Sequence, residues 1–250
     1  MSVRIIDRAA VDAWRPQSGN RLVAPDGSTL TLNHPTNQLT EPWFTESRIR
    51  LAASPAASSV GVRAFETGPV GTVDGHVAIL LAGKYVAEYA GQGGTFLLAQ
   101  NSDNSAGLVA WQGRWHEAYC WVNVPNSTHG QMLEALVGLS FKDTPAGLLV
   151  RPRDTETYQR ITATKHIPGI GFAKITQTVR VAQELPTWSG RRVPAGEVWR
   201  QEVAAEVAGK HPAAIVCATT SAVITIDPRD GGTEDKAFAF LAAMGSATWL

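Results

Sequence analysis

The six histidines, His34, His76, His116, His129, His166 and His211, are by type the residues best suited to hold a metal or move a proton. Their spacing gives neither use direct support. Metal sites gather ligands at short fixed intervals, and the chain contains no H-x-H, H-E-x-x-H or C-x-x-C. His34, His76, His129 and His211 each stand beside Gly, Pro or Asn, in turn-like contexts where an exposed imidazole is ordinary. His116 and Glu117 are adjacent; on a strand they point to opposite faces and cannot act on each other. An enzymatic reading therefore requires a site assembled in space, with His116, His129 and Glu117 as its candidates and hydrolysis as the reaction class. No G-x-S-x-G elbow is present, and Ser189 in Thr187-Trp-Ser-Gly190 has no base legible beside it.

Phosphate and calcium chemistry fare no better. Gly83-Lys84 is followed by Tyr85 rather than Ser or Thr, and Gly91-Gln-Gly-Gly94 joins two strands instead of opening a helix. The acids of Asp227 to Asp235 do not alternate as a calcium loop requires, and a helix start explains them. No cofactor and no metal are expected. The remaining candidates are aromatic: Trp111, Trp115, Tyr119 and Trp121 crowd one hairpin, and such side chains serve as interface anchors or as core. Alternation puts Trp115, Glu117, Tyr119 and Trp121 on one strand face and His116, Ala118, Cys120 and Val122 on the other. The small apolar face is expected to lie inward. Trp115 and Tyr119 are expected to be partly exposed and to contact another protein; the rival use is packing beneath the segment around Trp43 and Phe44.

The elements that would position these residues can be read from hydrophobic patterning. Leu108–Trp111 and Arg114–Val124 flank Gln112-Gly113, a tight hairpin with glycine supplying the positive φ. Ser127 or Thr128 caps a following helix, predicted over Gln131–Phe141 from Met132, Leu133, Leu136, Val137 and Phe141. Upstream, Arg21–Ala24 and Ser28–Asn33 flank Pro25-Asp-Gly27 as another hairpin. A short strand is expected at Val3–Ile6, a brief helix at Arg8–Trp14 and a linker at Ala53–Ser59. His76–Tyr89 and Thr95–Gln100 read as strands of a further hairpin. Phe172–Glu184, Gly196–Val203 and Pro212–Ile226 repeat that order, ending in Asp227-Pro228 and a helix that starts at Thr233 and buries Ala237, Phe238, Leu241 and Met244. The expected fold is α+β, mainly antiparallel sheet, with a duplicated strand-strand-strand-helix unit. The expected divisions are an N-terminal strand and hairpin segment (1–67) and two β-rich units (68–152 and 154–250), joined near Arg151–Thr157.

Composition bounds the function classes. The 250 residues are 44% hydrophobic and 18% charged, and 22 basic residues balance 22 acidic ones, so no net field gathers nucleic acid. Arg151, Arg153 and Arg160, and likewise Arg191, Arg192 and Arg200, are interspersed with acids and read as solvated surface. Val77–Ala82, the longest apolar window, is far too short for a membrane span. The opening Met1-Ser-Val-Arg-Ile-Ile-Asp-Arg8 lacks the uninterrupted apolar core of a secretory signal, and a cytoplasmic location is expected. Cys120 and Cys217 sit in apolar runs and are expected to be reduced and apart.

The strand ladder closing in a Pro-containing loop and terminal helix, Ala213–Ala247 and again Gly107–Pro152, resembles the end of PsbP-like domains, small α+β binding and assembly factors. That resemblance implies a binding or assembly role on an antiparallel sheet covered by helices, and no catalytic residues. The first functional expectation is thus a non-enzymatic adaptor or subunit of a larger complex, with another protein or a second copy as partner.

Overall fold

The computed structural model describes residues 19–35, 37–50, 62–153, 156–202 and 213–250. The elements expected over Val3–Trp14 and the linker Ala53–Ser59 lie outside them. The described chain is mainly antiparallel strand with a few short helices, and it divides into two compact units: Arg48–Thr157, and the residues up to Ser47 together with Tyr158–Leu250.

β1 (Arg21–Val23) and β2 (Thr29–Asn33) form the hairpin that Pro25-Asp-Gly27 predicts. Gly27 takes φ 92°, and Asp26 Oδ1 accepts the Ser28 N–H at 2.9 Å, the side-chain turn that aspartate favours. β3 (Trp43–Arg50) alternates buried and exposed residues, and the division between the units falls after its Ser47.

The first unit continues with β4 (Val62–Pro69), α1 (Thr72–Gly75) running into a π-helical turn (His76–Leu80), β5 (Gly83–Gly91), β6 (Gly94–Asn101), β7 (Gly107–Gln112) and β8 (His116–Val122). Its sheet has the order β4-β8-β7-β6-β5, with antiparallel neighbours throughout. The strand expected from His76 starts only at Gly83. Val73, Val77 and Leu81 recur every four residues and are all buried, so a helical face outweighs the strand propensity of the run. The β7–β8 turn is longer than the two residues expected, since Gly113 N–H bonds His116 O at 2.9 Å, and Gly113 is not among the positive-φ glycines. Its lack of a side chain is required for another reason: a Cβ there would collide with the Asp143 carboxylate.

Of the two cap candidates Ser127 and Thr128, Thr128 caps α2 (His129–Glu134), which starts two residues before the expected Gln131. Thr128 Oγ1 accepts the Gln131 N–H at 3.3 Å while Gln131 Oε1 accepts the Thr128 N–H at 2.9 Å, a reciprocal capping box. The helix does not reach Phe141. Gly138 turns the chain at φ 88°, and Phe141 belongs to β9 (Ser140–Thr144), which pairs with β10 (Gly147–Arg151). From that strand Phe141 stacks on Trp111 at 4.7 Å, so the contact arises by a different route from the one its spacing implied.

The second unit contains β11 (Thr157–Ile167), β12 (Gly171–Gln177), α3 (Thr178–Val181) with a 3-10 turn (Ala182–Glu184), β13 (Arg191–Val193), β14 (Gly196–Gln201), β15 (Ala214–Ala218), β16 (Ala222–Pro228), α4 (Glu234–Ala243) and β17 (Ser246–Trp249). The long strand expected over Phe172–Glu184 ends at Gln177. Of the strand expected over Pro212–Ile226, the described residues form two, β15 and β16, reversed at Thr219, whose Oγ1 accepts from Ala222 N at 3.0 Å and Ser221 N at 3.3 Å. α4 has Thr233 as its cap and buries Ala237, Phe240 and Leu241; Phe238 is only half-buried, under the Arg191 guanidinium. β17, unforeseen in the sequence, pairs with β2 to complete a β1-β2-β17 sheet. The order β11-β12-β16-β15-β14-β13 carries a core of Ile175, Ile215, Cys217, Ile224 and Ile226 with Leu30, Leu241 and Trp249.

Within each unit one stretch runs in the same order, β4 to α2 and β12 to α4: a strand, a short helical connection, a meander of four strands whose last pairs with that strand, and a helix; the β9–β10 hairpin of the first unit and β1, β2, β11 and β17 of the second lie outside it.

Candidate functional site

The densest set of polar and aromatic groups lies on the β8 face that alternation had placed outward. In the first unit α1 and its π-helical turn cover this face, and the covering comes from residues 72–81 rather than from Trp43 and Phe44. Val73, Val77 and Leu81 pack on Leu97, Ala99, Leu108, Ala110 and Tyr119. Gly71, at φ 94°, turns the chain onto the sheet.

Glu117 is wholly buried on this face. One carboxylate oxygen accepts the Val73 N–H at 2.8 Å, and the other accepts from Gln112 Nε2. Burial pushes its carboxyl above the usual range, while the N–H donors and Gln112 act in the opposite direction. The carboxylate therefore ties the start of the helical connection to β8. Two residues along, the Tyr119 hydroxyl donates to Glu66 at 2.9 Å, and burial raises the phenol well above its ordinary value. Tyr85 donates to Asp74 at 2.5 Å. His76 meets Tyr119 edge-on at 4.9 Å and stacks on Trp121 at 5.9 Å, with its Nδ1 buried. Beyond this cluster the same turn presents Ile79 and Leu80 to solvent, 78% and 65% exposed.

The four expected interface residues separate into two pairs. Trp111 and Tyr119 are buried, which corrects the exposure expected of Tyr119; the Trp111 indole donates to Gly91 O at 3.2 Å. Trp115, beneath the Arg114 guanidinium at 5.0 Å, and Trp121 are half-buried. The opposite face of β8 is inward, as read: Cys120 Sγ contacts Ala64 O and Ala135 O beneath the end of α2. Both faces of the strand are consequently covered. The sequence hid this cover because the apolar run from His76 continues with little interruption into the strand residues after Gly83.

The enzymatic candidates do not converge. His116 Nδ1 lies 2.6 Å from Asp143 Oδ1, and Asp143 Oδ2 accepts the Trp115 N–H at 2.7 Å. Glu117 points to the other face, and His129 is exposed, its Nδ1 2.9 Å from the Tyr89 hydroxyl. Asp143 was not singled out in the sequence, since nothing local marks a strand aspartate as the partner of a histidine 27 residues earlier. His34 is stacked on Phe240 at 4.0 Å instead of free in a turn, and burial lowers its pKa. His166 lies 3.3 Å from Asp230, and His211 is outside the described residues. Among the described residues no group of three or more His, Cys, Asp or Glu could hold a metal ion, and no helix is long and apolar enough to cross a membrane.

No family model matches the chain, and no curated protein or solved structure is significantly similar to it.

Proposed function

We propose that this chain is a non-enzymatic protein-binding or assembly protein, an adaptor or a subunit of a larger complex, built from two copies of one PsbP-like unit. The observation that carries the reading is the exposed apolar pair Ile79 and Leu80. Burying a large aliphatic side chain is worth about 1.5–3 kcal/mol, so two adjacent ones in water offer a partner surface that gains from being covered. Half-exposed Trp121, stacked on His76 of the same turn, extends the patch with a residue of the type that anchors interfaces. The corresponding connection of the second unit likewise exposes Val179 at 81%, and the loop after it exposes Trp188 at 65%.

The duplication is supported by the shared strand order and by the place of α2 and α4 after the meander. The partner is another protein or a second copy of the chain, with no nucleic acid in the assembly.

The test is Ile79→Asp combined with Leu80→Asp, with assembly followed by sedimentation over a range of concentrations and by photo-crosslinking from a benzophenone residue in place of Leu80. A concentration-dependent assembly or a discrete crosslinked species, lost in the double variant at unchanged melting temperature, supports the reading. A chain that stays monomeric when purified, and in cell extract crosslinks no more from position 80 than from the exposed loop residue Asp103, rejects it.

The 2.6 Å His116–Asp143 contact favours a second reading, a hydrolase acid-base pair. Both side chains are nearly inaccessible, at 5% and 8%, so this reading requires an opening of the β9 hairpin for substrate to enter. Loss of hydrolysis of ester or amide probes in His116→Gln would select it.

A further inference from the structure

Counting along the paired strands from their ends sets the two units side by side. Pro69 opposite His116 and Gln177 opposite Ala222 end β4 and β12, the strands that precede the helical connections. Counting back from these ends, the cross-strand pair Glu66–Tyr119 of the first unit corresponds to Lys174–Thr225 of the second. In the first unit the Tyr119 ring fills the space beneath Val77 and its hydroxyl is held by Glu66. The second unit has the smaller threonine where that ring would stand, and a lysine in place of the acid.

The face is correspondingly open. α3 and its 3-10 turn reach the sheet through an apolar group of Val181, Val216 and Val223 with Leu185 packed against it. Beside that floor a cleft of about 170 Å³ remains, lined in part by Thr162, Thr176 and Thr225 and rimmed by Lys174 and Arg160. The Arg160 guanidinium is 3.4 Å from Glu184, an acid of the covering turn. Lys174 is exposed, and its ammonium has no hydrogen-bond or ion-pair partner among the described residues. Thr162 and Thr176 hydroxyls lie 3.4 Å apart on the wall.

We infer that this cleft of the second unit is a binding site for a small apolar carboxylate, its hydrocarbon or aromatic body on the valine floor and its carboxylate on Lys174. The volume is below the range of sites for drug-sized ligands, which limits the occupant to a short acyl or single-ring acid. One unpaired cation matches one negative charge, and the threonine hydroxyls add donors for the same head group. The inference uses the counted correspondence of the strands and draws on neither Ile79 nor Leu80, the residues that carry the assembly reading.

The experiment uses the full chain and two carboxylate probes, benzoate and hexanoate, followed by saturation-transfer NMR and by valine methyl shifts. Hexylamine serves as the charge-reversed control and acetate as the control without an apolar body. Saturable binding of the two acids, with shifts at Val181, Val216 and Val223 and none from hexylamine or acetate, is the expected result. Lys174→Glu should weaken it by about tenfold or more, the effect of losing one charged contact. Thr225→Tyr, which restores the ring that the first unit carries, should abolish it. Absence of binding by the wild-type chain overturns the proposal, as does hexylamine binding as tightly as hexanoate. Unchanged affinity in Lys174→Glu, an exposed position that does not threaten folding, overturns it independently of how Thr225→Tyr folds. Neither variant should alter assembly through Ile79 and Leu80, so the two proposals fail separately.

Discussion

His116 Nδ1 and Asp143 Oδ1 stand 2.6 Å apart, and through its second oxygen the same carboxylate holds the Trp115 N–H. One side chain thereby fixes the β7–β8 turn against the β9–β10 hairpin, and Gly113 lacks a side chain where that carboxylate comes closest. Asp143→Ala leaves a buried imidazole and a backbone N–H without their acceptor, a loss of about 1–3 kcal/mol for each group stranded. Asp143→Asn keeps one carbonyl acceptor and should cost less. Urea denaturation of both variants orders them; equal costs, or none, would show that the contact does not hold the turn.

Glu117 gives a pH signature. Its folded pKa is raised above 4.5 by burial, so as pH rises past 4.5 the unfolded chain releases the proton while the folded chain still keeps it. Its contribution to stability is therefore complete below 4.5 and declines as pH rises through the raised value. Glu117→Gln preserves shape and removes the titration. The stability of the variant minus that of the wild type should increase across this window, in chemical denaturation at a series of pH values. A constant difference would contradict the burial argument.

Cys120 and Cys217 are free and buried, and burial pushes their thiols up to about 12 and about 11. Thiolate is the reactive form, so at pH 8 neither should react with a disulfide reagent in the folded chain, while both should react after denaturation. Rapid labelling of native protein, or a Cys120–Cys217 peptide in an unreduced digest, would refute this.

The sequence was most legible where the chemistry of an element is local. Pro25-Asp-Gly27, the cap at Ser127 or Thr128 and the Thr233 cap each act within a few residues, and the structure places a turn at the first and helix starts after Thr128 and Thr233. It was least legible where a tertiary contact overrides composition. His76–Leu80 carries Val77 and Ile79, and Thr178–Val181 carries Thr178, Val179 and Val181, residues that strands favour, yet both are helical, because one face of each lies on a sheet formed elsewhere in the chain. Of the candidate site, the aromatic hairpin could be read, but the burial of Tyr119 could not, since its cover was hidden in that misread helix.

Lys165 is the remaining buried charge whose cost can be measured. Its ammonium donates to the Glu41 backbone carbonyl and lies over the Trp43 ring at 4.4 Å, and burial lowers its pKa from 10.5 to about 8. Below pH 8 both the folded and unfolded chains carry the charge, and the folded chain bears the full desolvation cost. Between pH 8 and 10.5 the unfolded chain keeps a proton that the folded chain has released, so stability from this group rises with pH. Lys165→Met retains the apolar stem and has no proton to lose. Its stability relative to the wild type should therefore be most favourable below pH 8 and should fall steadily towards pH 10.5. Taking the difference cancels the titration of tyrosines common to both chains. Parallel stability curves over that interval would show that Lys165 is solvated in solution and does not carry the cost that its burial implies.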